Sequence, residues 1–287
     1  MSAQWAVSWH HVRLGIPGLW RQELVGRDTG VALLDTGLAA PPGLDRKSFE
    51  YLDSAGGLIG PGDPEGHGTS CASVIAGYRG GALGIAPYTR IHSLRVLGPG
   101  TSTRDVEAAF GWALEQPEID VVSCSFSMPV LSQRAAELVR ALSAAGKVVV
   151  AAAGDAQVAN PFPEGAPKTI TVAAVDRDGK PLPGARTGAF IDVSAPGLDL
   201  PVVTPGGALG RFSESSAAAA VVSGVAALIL SSRPRGPERQ ALALSLESLI
   251  KRTAWALGGG PQPAVTPGAA PGIIRPAALL AAAKELV

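Results

Sequence analysis

The sequence predicts an α/β fold in which a mostly parallel central sheet is covered by helices on both faces. Two patterns predict it. Apolar, β-rich runs recur at 31–34, 91–97, 121–126, 148–153 and 169–175, each bounded by turn residues, and several are almost wholly apolar. A strand that is apolar on both of its alternating faces is covered on both sides. Between these runs lie segments with helical spacing. Strands that alternate with helices join through right-handed crossovers into a parallel sheet.

Taken in order, the run at 31–34 ends in an acid, Asp35. A small-residue helix follows His67 over 70–77. The segment starting near Ser102 carries Asp105 three residues on, the spacing of a capping box, and then sets Val106, Phe110 and Ala113 on one face. A helix over 132–145 turns Ala135, Leu138, Val139 and Leu142 inward and stops at Gly146. The stretch 217–230 is apolar all round, which predicts a helix running through the core. A further helix starts at Pro237, a favourable first helical position. The Gly/Pro-rich stretch 258–272 reads as a surface loop, because only one short helix comes after it. No internal repeat is present, and 1–287 reads as one domain.

The chain has 287 residues, enough for a domain that buries roughly 75% of its unfolded surface. Its 24 basic and 24 acidic residues balance, and no long Lys/Arg run favours nucleic acid or an anionic membrane. The longest apolar stretch, 217–230, falls short of the ~20 residues a membrane-spanning helix needs. The first residues lack the charged and apolar regions of a secretory signal. Two cysteines, Cys71 and Cys124, make no disulfide framework. The expectation is a cytoplasmic protein or, as the alternative, a secreted one read as its processed mature chain.

Four histidines are available for acid–base chemistry. His10 and His11 sit in a polar N-terminal segment and read as solvated surface. His92 lies in an alternating strand pattern and reads as half-buried and structural. His67 differs: glycines flank it, letting another backbone approach closely, and it opens a helix. Asp35 ends a strand, where sites form in open parallel sheets, and equally suits a turn cap. Ser213, Ser215 and Ser216 precede the apolar helix. A serine there sits at the positive end of the helix dipole, either as a cap or as a nucleophile that needs a base and an orienting acid. Helix geometry alone does not choose among the three. The order Asp, His, Ser is that of one of the known catalytic triads.

On these residues the sequence resembles the subtilisin-like serine proteases (subtilases, peptidase family S8). Val31-Ala32-Leu33-Leu34-Asp35-Thr36-Gly37 resembles the family's aspartate motif, and Gly66-His67-Gly68-Thr69-Ser70-Cys71-Ala72 its histidine motif. Glu214-Ser215-Ser216-Ala217-Ala218-Ala219-Ala220-Val221-Val222-Ser223-Gly224 resembles the serine motif, and anchoring on Gly224 puts the nucleophile at Ser216. The resemblance extends from Ile16-Pro17-Gly18-Leu19-Trp20 to the terminal segment, so no inhibitory prodomain is expected before it. It implies a three-layer subtilisin-like fold and a serine endopeptidase with Asp35, His67 and Ser216 as its triad.

The same resemblance assigns the remaining site residues. Ser216, Ser215 and Asp155 form the oxyanion hole. Gly98, Pro99 and Gly100 flank one side of an extended substrate, and Ser125, Phe126 and Ser127 the other. Ala152, Ala153 and Gly154 wall the S1 pocket with the latter segment, which points to a small or apolar P1 residue. The sequence departs from the family at Glu214, Ala220 and Val221, which replace Gly, Pro and His, and at Asp155, which stands where the family has Asn. An ionised Asp donates no hydrogen bond, and loss of one such donor costs about 2.7–4 kcal/mol. Cys71 lies four residues after His67, on the same helix face, and reads as a small buried residue.

No cofactor is expected for the chemistry; structural calcium enters through the resemblance alone, and no acidic loop for it stands out. The expected partner is a peptide or protein substrate, with neither nucleic acid nor membrane. Two alternatives accompany the main reading. One is a catalytically weak peptide-binding or regulatory pseudoprotease; the other is a dedicated protease that matures a precursor peptide.

Overall fold

The computed structural model describes residues 7–44, 49–79, 82–128, 131–154, 162, 166, 168–255 and 271–286. In chain order come α1 (Trp9–Arg13), α2 (Ile16–Trp20), β1 (Gly30–Asp35), β2 (Phe49–Leu52), α3 (His67–Ala76), β3 (Tyr78–Arg79), β4 (Ala82–Leu83) and β5 (Arg90–Arg95). Next are α4 (Thr103–Glu115), β6 (Val121–Cys124), α5 (Gln133–Ala144), β7 (Val148–Ala152), β8 (Thr169–Val175) and β9 (Val193–Pro196). The hairpin β10 (Leu200–Val203) and β11 (Leu209–Phe212) precedes α6 (Glu214–Leu230), α7 (Pro237–Thr253) and α8 (Pro276–Lys284). Of the loop expected at 258–272, residues 258–270 lie outside the described residues.

Seven strands among the described residues form one parallel sheet in the order β2-β5-β1-β6-β7-β8-β9. From β1 the chain first lays down the edge strand β2, and β5 then fills the place between β2 and β1. The chain next crosses by α4 to the other side of β1 and adds β6 to β9 in sequence. Strand order thus reverses at β1, and in such sheets the crevice at the carboxyl ends of the strands is where sites form. Side chains alternate along β1 as a pleat requires. Val31 and Leu33 enter the core shared with α3, α6, α7 and α8, whereas Ala32 and Leu34 enter the core shared with α4 and α5. The predicted α/β fold, with a parallel sheet between two helical layers, is the observed one.

Helix α6 organises the first core. Every residue from Ala217 to Leu230 is buried. Sheet residues Val150, Val172 and Val193, helix α3 and the terminal helices α7 and α8 belong to the same cluster. Burying each Val, Leu or Ile side chain of α6 contributes roughly 1.5–3 kcal/mol. Close approach requires Gly224: a Cβ there would lie 2.7 Å from Cβ of Ile85. On the opposite face the predicted terminators operate. The Ser102 amide donates to the Asp105 carboxylate at 2.7 Å to start α4. The Ser132 hydroxyl accepts from Ala135 N at 3.0 Å to start α5. At its end Gly146, with φ 78°, closes a turn in which Lys147 N donates to Leu142 O at 2.9 Å.

Two expectations change. His10 and His11 are buried, not solvated, at 1% and 0% exposure. Helix α1 packs inward: the Trp9 indole donates to Leu198 O at 3.2 Å, and the His11 ring lies 5.1 Å from that of Trp20. Five residues are too few for a helical period to be read, and adjacent polar-looking imidazoles hide that inward face. His92 is fully rather than half buried, with Nδ1 2.9 Å from the Glu50 carboxylate of the neighbouring strand. The register pairs Glu50 with His92 directly, and the outer strand β2 covers it.

The buried histidines set an acid limit on stability. Burial lowers the pKa of His10 to about 2, with the neighbouring His11 adding to the effect, and lowers that of His11 to about 4. Below pH 6.5 the unfolded chain binds protons at both rings while the fold does not, so stability falls as pH drops from 6.5 toward 4. The loss approaches about 1.4 kcal/mol per pH unit for each ring. Urea unfolding of wild type and His11→Leu between pH 7 and 4.5 checks this. The variant is expected to lose stability less steeply, and parallel pH profiles would refute the assignment.

Candidate active site

Asp35 is the last residue of β1, at the carboxyl edge where strand order reverses, and its side chain is fully buried. Helix α3 begins at His67 and packs against that edge. His67 Nδ1 lies 2.6 Å from Asp35 Oδ1, and the imidazole is 31% exposed. The approach depends on Gly68, because a Cβ there would fall 2.1 Å from Gly37 O and 3.1 Å from the Asp35 Cβ. The other face of the imidazole carries Phe212 in a T-shaped contact, with centroids 5.4 Å apart. Nothing in the sequence marked Phe212, which is the final residue of a hairpin strand that only the fold delivers here.

The three candidate serines separate cleanly. The Ser213 hydroxyl accepts from Asp199 N at 2.9 Å and serves the hairpin. The Ser215 hydroxyl accepts from Gly154 N at 3.2 Å, tying the start of α6 to the end of β7. The Ser216 hydroxyl donates to Ser125 O at 3.0 Å, while Ser125 Oγ donates to Ser216 O at 3.2 Å. Ser125, just after β6, thus ties the first turn of α6 to the carboxyl edge of the sheet. The Cys71 sulfur is 3.9 Å from His67 Nδ1. No hydrogen bond joins Ser216 to His67 among the described residues; a turn of the Ser216 side chain away from Ser125 O frees its hydroxyl.

The segments expected to bind substrate follow the carboxyl ends of β5, β6 and β7. Gly98, Pro99 and Gly100 come after β5 and line a cavity of about 380 Å³, together with Thr36 and Glu65. Ser125, Phe126 and Ser127 come after β6. The Phe126 ring stacks on Phe162, 5.8 Å away, within the core beneath α4 and α5. Ala152 and Ala153 are buried, and Gly154 adopts φ 77° at the end of β7. Asp155 lies outside the described residues.

Electrostatics favour a charged imidazole. Burial of His67 opposes its protonation, yet the pKa is raised overall. The Cys71 thiol is itself pushed up to about 11 by burial and is neutral at neutral pH, so the upward direction rests on the Asp35 carboxylate. Among the described residues, Asp35, His67 and Cys71 are the group whose donor atoms come close enough to hold a metal ion, within 4.8 Å of one another. No helix among the described residues is long and apolar enough to cross a membrane.

An Asp–His pair lies at the switch point of a parallel sheet and a helix-start serine is tied to the same carboxyl edge through Ser125, the elements that a serine hydrolase uses. The model of the subtilase family (peptidase S8) matches residues 26–273, and the chain belongs to that family, the subtilisin-like serine endopeptidases. It is 29% identical over 263 residues to the M-protease of Shouchella clausii (strain KSM-K16), covering 88% of this chain and 66% of that protein. It is 28% identical to Subtilisin Savinase of Lederbergia lenta, covering 88% and 93%. Identity to Subtilisin E of Bacillus subtilis (strain 168) is 31% over 230 residues, covering 76% of this chain and 59% of that one. The chain thus spans about two-thirds of the M-protease and nearly all of Savinase. The solved structure of MycP1 with its N-terminal propeptide removed shares the fold, with TM-score 0.77 at 23% identity over 95% of this chain and 96% of that one.

Glu214 shows why the family's motif has glycine there. It holds φ 77°, a left-handed conformation that costs a side-chain-bearing residue about 1–2 kcal/mol. Its amide donates to Gly197 O at 2.7 Å, which fixes that conformation. Glu214→Gly is expected to raise stability by about 1 kcal/mol after glycine's greater freedom in the unfolded chain is counted, a Tm gain of about 2–4 °C. Thermal unfolding reads this, and an unchanged or lower Tm would contradict the strain.

Proposed function

We propose that the chain hydrolyses peptide bonds as an endopeptidase, with Ser216 as nucleophile, His67 as general base and acid, and Asp35 as the orienting carboxylate. The observation that carries this is the 2.6 Å contact between a fully buried carboxylate and a partly exposed imidazole, at the sheet edge to which Ser125 ties Ser216. Ser216 attacks the scissile carbonyl and passes its proton to His67 Nε2. The imidazolium then protonates the leaving amine, and water repeats the sequence on the acyl-enzyme. Asp35 holds Nδ1 as the protonated nitrogen, so Nε2 faces the nucleophile.

The oxyanion would be met by the amide of Ser216, which is in the first turn of α6, where helical N–H groups lack partners within the helix. Asp155 is the second donor in this reading, in its protonated form, with Ser215 fixing the neighbouring Gly154 amide. The substrate lies extended between the segments 98–100 and 125–127, adding a strand to the sheet edge. Buried small residues at 152 and 153 fit a small or apolar P1 side chain.

The decisive experiment is labelling by a fluorophosphonate from pH 5 to 9, wild type against Ser216→Ala. Labelling that vanishes in the variant supports the reading. A folded wild type that never labels would leave the peptide-binding pseudoprotease in its place. The pH profile has a definite sign. His67 must be neutral to accept the proton and its pKa is raised, so the acid limb of kcat/KM should lie above pH 6.5. Asp35→Asn should lower kcat about 10⁴-fold and move that limb downward. Asp155→Asn supplies a permanent donor and should raise kcat near pH 7; an unchanged or lower kcat would count against the role given to Asp155.

A further inference from the structure

We propose that Asp63 is a positioning residue that holds both halves of the Asp35–His67 pair with one buried carboxylate. The inference rests on the triad reading above and adds a residue to it. Asp63 is 6% exposed, and both of its oxygens are fully engaged. Its Oδ1 accepts from the Thr36 hydroxyl at 2.7 Å and from Gly66 N at 2.9 Å. Its Oδ2 accepts from Thr69 N at 2.7 Å and from the Thr69 hydroxyl at 2.6 Å.

These bonds run to two separate elements. Gly66, Gly68 and Thr69 bracket His67 at the start of α3. Gly66 is the N-cap of that helix and has no side chain to cap it, so Asp63 supplies the missing acceptor from outside. Its charge also sits at the positive end of the helix. Thr36 is the residue after Asp35. Its amide donates to Asp35 Oδ1 at 2.8 Å, and its hydroxyl accepts from Gly68 N at 3.0 Å while donating to Asp63.

Asp35 needs this support. Its Oδ2 is buried and has no hydrogen-bond partner among the described residues. Oδ1 alone is held, by His67 on one side and the Thr36 amide on the other. The direction in which the carboxylate points is therefore set by the backbone at Thr36, and Thr36 is pinned by Asp63. Removing the Asp63 carboxylate frees the strand end and the helix start from each other, across the same gap the 2.6 Å contact spans.

The test uses the full chain, with active sites titrated by fluorophosphonate so that misfolded molecules do not count. Asp63→Asn is expected to lower kcat per titrated site about 10–100-fold with KM nearly unchanged, since a misplaced catalytic group weakens the transition state rather than substrate binding. The acid limb should also move down toward pH 6.5, because a loosened Asp35 no longer holds the proton on His67. Thr36→Val, which removes the hydroxyl between Asp63 and Gly68, should reproduce both effects, and Thr36→Ser should restore most of kcat. Should Asp63→Asn fail to fold, Thr36→Val decides alone. A titratable variant with wild-type kcat and an unmoved acid limb would overturn the proposal while leaving the triad intact. Failure of the triad reading is distinct: wild type itself would not label.

Discussion

A helix that is apolar on every side has to be covered on every side, and the burial of α6 is the constraint on which the rest of the structure depends. From Ala217 to Leu230 no residue reaches solvent. The sheet covers one side, α3 another, and α7 and α8 complete the sheath. The amino end of such a helix cannot sit anywhere. It must emerge where the covering layers part, and they part at the carboxyl edge of the sheet, beside the end of β1. Ser216 is carried there by the helix behind it. The same packing brings α3 against the helix, so the residue that opens α3, His67, arrives at the same edge.

The site is then an arrangement of helix beginnings against strand ends. Asp35 ends β1, His67 begins α3 and Ser216 lies in the first turn of α6. Each helix start presents unpaired N–H groups and the positive end of a dipole. Buried carboxylates answer one of them: Asp63 caps α3, and Asp35 meets the imidazole that α3 presents. The start of α6 meets no such acid on its inner side among the described residues. Its serines bond instead to segments distant in sequence, Ser213 to Asp199, Ser215 to Gly154 and Ser216 to Ser125.

Small residues make these approaches physically possible. Gly68 allows α3 to meet the turn after β1, where a single methyl would collide with Gly37 O. Gly224 allows α6 to meet Ile85. Where a side chain stands in place of such a glycine, at Glu214, the backbone keeps the left-handed conformation and bears the strain, because its hydrogen bond to Gly197 holds it there.

Local pattern was enough for the features that depend on composition and spacing within one segment. Strand runs covered on both faces, the buried helix, the start of α7 at Pro237 and the stop of α5 at Gly146 were all readable for that reason. The places of Asp35 at a strand end, His67 at a helix start and Ser216 at the start of the buried helix were readable in the same way. Short edge elements were not: β2, with only four residues and a charge among them, and the hairpin β10–β11 carry too little pattern. The burial of His10 and His11 depends on what α1 packs against, which no local pattern encodes. Tertiary structure alone decided which of three neighbouring serines turns toward Ser125, since all three are equivalent as helix-start residues. It alone brought Phe212 onto His67 and Asp63 between Thr36 and Thr69. Those contacts join segments whose separation in sequence carries no periodic signal, and the physical reason is plain: a hydrogen bond across a sheet edge is fixed by where two packed elements stop.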